Sequence, residues 1–189
     1  MMQIRIHGRG GQGVVAMAEI LAIAFFSDGK TTQAFPHFGV ERSGAPIQSF
    51  VRVSDKEISS REHVYIPDIL IVLDDSLIGK ADIFSGLKTS TKIVINSKSS
   101  VEKLLAEFKK ATTLPKGFGE KNIFVSDATS LALEVFGKNM VNTAMLGALC
   151  NVPGLLKKEA TILAVKEKFA SKGSEIVDKN ILIINKIIN

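Results

Sequence analysis

Gly8-Arg9-Gly10-Gly11-Gln12-Gly13 packs glycine into alternate and adjacent positions, directly after an alternating apolar and polar stretch and directly before a long apolar one. Glycines so spaced let bare backbone amides approach a ligand, and a helix starting just beyond them adds the positive end of its dipole. The chemistry on offer is binding of phosphate or another anion. Two familiar versions of it do not fit. A nicotinamide site adds a carboxylate about twenty residues further on to hold the ribose, where this chain has Gln33-Ala34-Phe35. A Walker A loop closes with Lys and then Ser or Thr, where this chain has Val14-Val15. A plainer alternative is that the glycines only let a strand and a helix pack closely.

A second concentration runs from Phe35 to Pro46, with Glu41, Arg42 and Ser43 among two phenylalanines, two glycines and two prolines. Arg42 can bind phosphate or carboxylate with two parallel hydrogen bonds, Glu41 can orient it and Ser43 can donate. Equally, Glu41 and Arg42 can be a structural ion pair in a loop packed by Phe35 and Phe38. Elsewhere the signals are weak. His7, His37 and His63 lack metal-ligand spacing, and His7 reads as a hydrogen-bonded structural histidine. No Gly-x-Ser-x-Gly elbow is present, so a serine hydrolase has no support. Cys150 reads as a small core residue, and Asp74 and Asp75 either face a crevice or cap a strand end. No catalytic residue and no metal ligand is assigned.

The elements that must position these residues follow from periodicity. Gln3 to His7 predicts a strand, Val14 to Phe26 a buried helix, and Thr31 to Phe35 a strand parallel to the first, because a helical crossover joins them. Both unusual loops then lie at the carboxyl edge of one sheet, where α/β folds bind ligands. Ile47 to Val53 predicts a strand with one less buried face, with a turn at Ser54 to Glu57 and a short return at Glu57-Ile58. Ile69 to Leu73 and Thr91 to Asn96 are continuous apolar runs, expected of parallel strands covered on both faces and separated by a helix-like segment. Asn122 to Val125 adds a strand, and Asp127 N-caps a helix to Phe136. Met140 to Leu149, Lys157 to Phe169 and Ser174 to Ile188 read as helices. The predicted class is a single α/β domain over residues 1–189, three-layer α/β/α, with a mainly parallel sheet and a helical C-terminal portion.

Composition narrows the function. With 189 residues, 46% hydrophobic and 23% charged, the chain builds a full core and is not disordered. A single cysteine excludes an internal disulfide and any iron–sulfur cluster or multi-thiolate zinc site held by this chain alone. The net charge of +5 comes from scattered lysines, without the interleaved aromatics or helix-turn-helix of a nucleic-acid binder. No apolar run spans a bilayer and the first residues enter a strand, so a cytoplasmic protein without membrane contact is expected.

The order of the motifs is more specific than any one of them. His7 to Gly13, then Gln33-Ala34-Phe35-Pro36, then Phe38-Gly39-Val40-Glu41-Arg42 and Ser43-Gly44-Ala45-Pro46 strongly resemble the gamma subunit of 2-oxoacid:ferredoxin oxidoreductases, particularly the pyruvate and branched-chain enzymes. The resemblance continues through Pro67-Asp68, Leu73-Asp74, the Asn142 to Ala148 helix and the last helix with Asn180. Ser43 departs from it, standing where the family commonly carries a second arginine. The resemblance implies one component of an enzyme that decarboxylates a 2-oxoacid with coenzyme A, giving acyl-CoA, carbon dioxide and reduced ferredoxin. It implies that thiamine diphosphate with magnesium, and the iron–sulfur clusters, lie on alpha, beta and delta subunits or their fused equivalents. It further implies that Gly8, Arg9, Gly10, Gly11, Gln12, Gly13, Arg42 and Ser43 contribute to the coenzyme A site. A purely structural assembly subunit and a free-standing nucleotide-binding oxidoreductase are the alternatives.

Overall fold

The computed structural model describes residues 1–37 and 44–188. Its strands are β1 (Met2–Arg9), β2 (Thr31–His37), β3 (Pro46–Ser54), β4 (Ile69–Val72), β5 (Lys92–Asn96) and β6 (Ile123–Ser126), joined in one sheet in the order β2-β3-β1-β4-β5-β6. The β1·β4, β4·β5 and β5·β6 pairings are parallel. Those of β3 with β1 and with β2 are antiparallel. β2 therefore does run in the direction of β1, as a helical crossover requires, but it is not its neighbour. β3 turns back and occupies the place between them, so the sheet is mixed, with its parallel part on the β4 side.

One face of the sheet carries α1 (Val14–Ser27) and the C-terminal helices α3 (Ala128–Phe136), α4 (Asn142–Cys150), α5 (Lys158–Phe169) and α6 (Ser174–Ile187). Ile4, Ile6, Val51, Ile69, Ile71 and Val94 point into this layer, the alternate residues expected of one sheet face. Local chemistry sets the helix ends. Asp127 accepts the Ser130 amide at 3.0 Å, and Gly137 closes α3 at a φ of 67°. The small residues of α4 serve close packing within this chain. A Cβ on Gly147 would lie 2.1 Å from Ile187 Cγ2 of α6, and Thr143 donates to Asn180 of α6 at 2.6 Å.

The opposite face is covered over β4, β5 and β6 by α2 (Val101–Ala111), a helix not among the elements expected from periodicity. Its Leu104 and Phe108 are buried against Leu70, Val72, Ile93 and Ile95, and Ser100 caps its start. This helix supplies the third layer. Between β4 and β5 the expected helix-like segment is only a 3₁₀ turn at Asp75–Leu77 within irregular chain, and no return strand forms at Glu57-Ile58.

β3 is buried on both faces, against expectation. Phe50 and Arg52 are each 1% exposed, because the irregular chain after β3 folds back over them. Two arginines hold that cover. Arg5 of β1 donates to the carbonyls of Val64, Tyr65, Ile83 and Ser85 at 2.6 to 3.2 Å. Arg52 donates to the Glu62 carbonyl and the Gln33 side chain and lies over the Phe35 ring at 5.1 Å. Burial pulls both guanidinium pKa values down. The carbonyls meet the charge that water would otherwise solvate. Removing Arg5 would leave four carbonyls without that donor, so Arg5→Met is expected to lose about 3 kcal/mol or more in urea unfolding. Arg5→Lys should recover less than half, since an ammonium lacks the planar fork that serves both pairs.

Candidate functional site at the carboxyl edge of the sheet

The glycine loop leaves β1 where the strand meets α1. A Cβ on Gly8 would lie 2.6 Å from Val14 Cγ2 and 3.2 Å from Leu73 Cβ, so the loop, α1 and the end of β4 touch only because Gly8 has no side chain. Gly11 and Gly13 take φ values of 96° and 81°, in the region that favours glycine. Gly13 is the N-cap of α1, contributes no side-chain hydrogen bond, and no acidic residue stands in the first turn. The positive end of α1 is therefore uncompensated by its own turn. Gln12 folds back to accept the Arg9 amide at 2.8 Å.

The two loops do converge. Arg9 stands opposite Pro46 in the β1·β3 register. Gly10 donates to the Ala45 carbonyl at 2.9 Å, and Gly44 donates to the Gly10 carbonyl at 3.3 Å. Arg42 and Ser43, together with Glu41, lie outside the described residues.

Arg9 and Gln12, both expected to meet a ligand, are engaged by the protein. Arg9 Nε lies 3.2 Å from Asp74 Oδ2, Nη1 donates to the Gly44 carbonyl at 3.0 Å and Nη2 to Ser76 Oγ at 2.8 Å. Gln12 Nε2 donates to the same Asp74 oxygen at 2.9 Å. Burial acts to raise the Asp74 carboxyl. Hydrogen bonds from Ser76 and Gln12, with the Arg9 charge, outweigh it and hold the group below the usual carboxylate range. Asp74 also accepts the Ser76 amide at 3.0 Å, so it both caps the 3₁₀ turn and faces the crevice. Beyond it a polar cleft of about 310 Å³ opens along the carboxyl ends of β4, β5 and β6, lined by Gln12, Asp74, Asn96, Ser97, Asp127 and Thr129 among others. Ser76, Asn96, Ser97 and Thr129 carried no sequence signal of their own; they are adjacent only because parallel strands end together.

His7 is 2% exposed, and its Nε2 has no hydrogen-bond partner among the described residues, contrary to the hydrogen-bonded role expected for it. Burial, and then the charge of Arg5, push its pKa down to about 3, so it is neutral. His37 Nδ1 lies 3.2 Å from His63 Nε2 at the surface. Cys150 is half-buried, donates to the Leu146 carbonyl and touches Thr161 Oγ1 at 3.4 Å, and burial raises its thiol pKa. Among the described residues no group of three His, Cys, Asp or Glu side chains could hold a metal ion, and no helix is long and apolar enough to cross a membrane.

Fold and loop together define an α/β domain with a glycine turn at the carboxyl edge of its sheet. The chain belongs to the pyruvate ferredoxin/flavodoxin oxidoreductase family, whose model matches residues 3–189. Its relatives bear out the gamma-subunit resemblance. It is 44% identical over 175 residues to pyruvate synthase subunit PorC of Methanothermobacter thermautotrophicus, covering 93% of this chain and 89% of that one. It is 42% identical over 180 residues to the common gamma subunit of the Pyrococcus furiosus pyruvate/ketoisovalerate oxidoreductases, covering 95% and 91%. The crystal structure of pyruvate oxidoreductase subunit PORC from Thermotoga maritima superposes with a TM-score of 0.79 at 32% identity, covering 98% and 93%. A 2-oxoglutarate:ferredoxin oxidoreductase from Magnetococcus marinus shares the fold, with a TM-score of 0.72 at 20% identity over 98% of this chain and 30% of that one.

The neutral His7 gives the fold a pH dependence of definite sign. Its folded pKa of about 3 lies below the ordinary value of 6.5 that the unfolded chain regains. The unfolded state therefore binds the extra proton first on acidification. Stability is expected to fall as pH drops from 6.5 towards 3, by roughly 1 kcal/mol per pH unit. In urea unfolding across that range, His7→Leu should show a flatter profile than the unaltered chain.

Proposed function

We propose that this chain, as gamma subunit of a coenzyme A-dependent 2-oxoacid:ferredoxin oxidoreductase acting on pyruvate, helps form the coenzyme A site and closes it against neighbouring subunits. The observation that carries the reading is the uncapped start of α1, preceded by Gly11 and Gly13 and hydrogen-bonded through Gly10 to the end of the second loop. Backbone amides and a helix dipole there suit the phosphates of coenzyme A. Arg42 and Ser43 stand next to Gly44 in sequence, and on this reading they add a bidentate cation and a hydroxyl donor. The rest of the Pro36 to Pro46 loop packs on a neighbouring subunit. The Magnetococcus marinus oxidoreductase, whose structure holds coenzyme A and succinyl-CoA, supports the ligand class.

The redox and carbon chemistry belongs to partners. A single cysteine is too few to hold an iron–sulfur cluster, and on this reading neither a cluster nor magnesium–thiamine diphosphate is held by this chain. We assign those groups to alpha, beta and delta subunits or fused equivalents, which pass electrons to ferredoxin. Substrate choice follows them, since the Pyrococcus furiosus relative is a subunit common to pyruvate and ketoisovalerate enzymes. Pyruvate is favoured because relatives such as that of Methanothermobacter thermautotrophicus are pyruvate synthase subunits. A cytoplasmic location accords with the same assembly.

The test is Arg42→Gln in the assembled, anoxically purified complex. Loss of one charge-assisted contact is expected to raise the coenzyme A KM roughly 10-fold, with the pyruvate KM and subunit content unchanged. An unchanged coenzyme A KM together with full assembly would remove Arg42 from the site, and a reduced yield of complex whose assembled fraction keeps its coenzyme A KM would make this loop purely structural.

A further inference from the structure

The strand order changes direction between β1 and β4: the chain leaving β1 travels to the β2 side, and the chain leaving β4 travels to the β6 side. Such a switch point opens a crevice between the two strand ends, and open α/β sheets place ligands there. In this protein the crevice is bridged by protein side chains. Arg9 at the end of β1 reaches Asp74 and Ser76 beyond β4. From the same guanidinium it reaches the Gly44 carbonyl of the second loop. Gln12 completes the bridge by linking the Arg9 amide to Asp74.

We propose that Arg9 is a positioning residue: with Asp74 and Gln12 it fixes the glycine loop, the end of the second loop and the β4 exit turn at one spacing, and it does not itself bind the anion. Each of its three guanidinium nitrogens already has a protein partner, one on the second loop, which the β1·β3 ladder also reaches, and the others on the turn beyond β4, which the β1·β4 ladder does not reach. A ligand phosphate would have to displace the Asp74 carboxylate, which is pinned independently by the Ser76 amide and Gln12. The Arg9 fork thus holds Gly44 and Gly10 in the arrangement in which Gly10 donates to Ala45. The inference rests on the coenzyme A reading of these loops. It assigns binding to the loop amides and the start of α1, and alignment to the ion pair.

A direct ligand and a positioning residue differ in how Asp74 behaves. If Arg9 bound a phosphate, Asp74→Asn would free the guanidinium and leave affinity equal or better. If Arg9 positions, Asp74→Asn must copy Arg9→Ala. In the assembled complex, Arg9→Ala and Asp74→Asn are each expected to raise the coenzyme A KM about 10-fold, with kcat and the pyruvate KM within twofold. The double variant should be little worse than either single one, since both break the same unit. Arg9→Lys should not rescue, because an ammonium gathers its donors on one nitrogen and lacks the planar fork whose separate nitrogens reach Asp74, Gly44 and Ser76. Amide hydrogen exchange of the complex without coenzyme A should speed up at Gly10 and Gly44 in both single variants. Should Arg9→Ala fail to assemble, Ser76→Ala keeps every charge and is expected to move KM the same way by about two- to fourfold. A raised KM for Arg9→Ala with an unchanged or lowered KM for Asp74→Asn would overturn the positioning role and leave the coenzyme A reading standing. Faster exchange with an unchanged coenzyme A KM in every variant would overturn the coenzyme A reading on which it rests.

Discussion

The antiparallel course of β3 between β1 and β2 decides what can happen at the carboxyl edge of this sheet. Because β2 runs in the direction of β1, it ends at that edge. Because β3 runs back, it begins there, with Pro46 opposite Arg9 and Gln48 opposite His7. The chain between His37 and Pro46 is therefore tied at both ends beside the glycine loop, whatever path it takes between them. If β2 had paired directly with β1, β3 would have been displaced outward and its start would not have met Gly10. The same insertion turns Phe50 and Arg52 towards the second face, where α2 does not reach, and the irregular chain held by Arg5 must cover them.

What the sequence revealed follows the range of the interactions involved. The β1–glycine loop–α1 unit and the Asp127 to Gly137 helix were legible because a strand period, a cap and a left-handed glycine are read within a few residues. The place of β3 was not, because pairing between distant strands leaves no local mark and neighbouring elements in sequence are the natural first guess. Helix α2 was missed although Ser100, Leu104 and Phe108 carry its cap and its buried face; its remaining charged positions hid a short stripe. β3 was read as half-exposed because its alternation is real, while its cover is irregular chain with no period to recognise.

The candidate site divides in the same way. Glycine spacing identified the loop, and the loops do meet through Gly10, Gly44 and Ala45. The family resemblance, with their place in the glycine loop, implied Arg9 and Gln12 as ligands. Their actual partners, Asp74 and Ser76, stand more than sixty residues away and enter only because β4 lies beside β1. A free arginine in a glycine loop suggests an anion, whereas an arginine already paired across a crevice suggests alignment. Among the described residues, the start of α1 carries a partial charge at this edge that neither a side-chain cap nor an acidic first-turn residue meets.

On this account the subunit contributes a rigid, amide-lined corner to an active site completed by others. The most direct measurement is hydrogen exchange on the whole anoxic oxidoreductase with and without coenzyme A. The account predicts that coenzyme A slows exchange in the peptides spanning Gly8 to Ala16 and Gly44 to Pro46 of this chain. Protection confined to the other subunits, with those peptides unchanged at saturating coenzyme A, would contradict it.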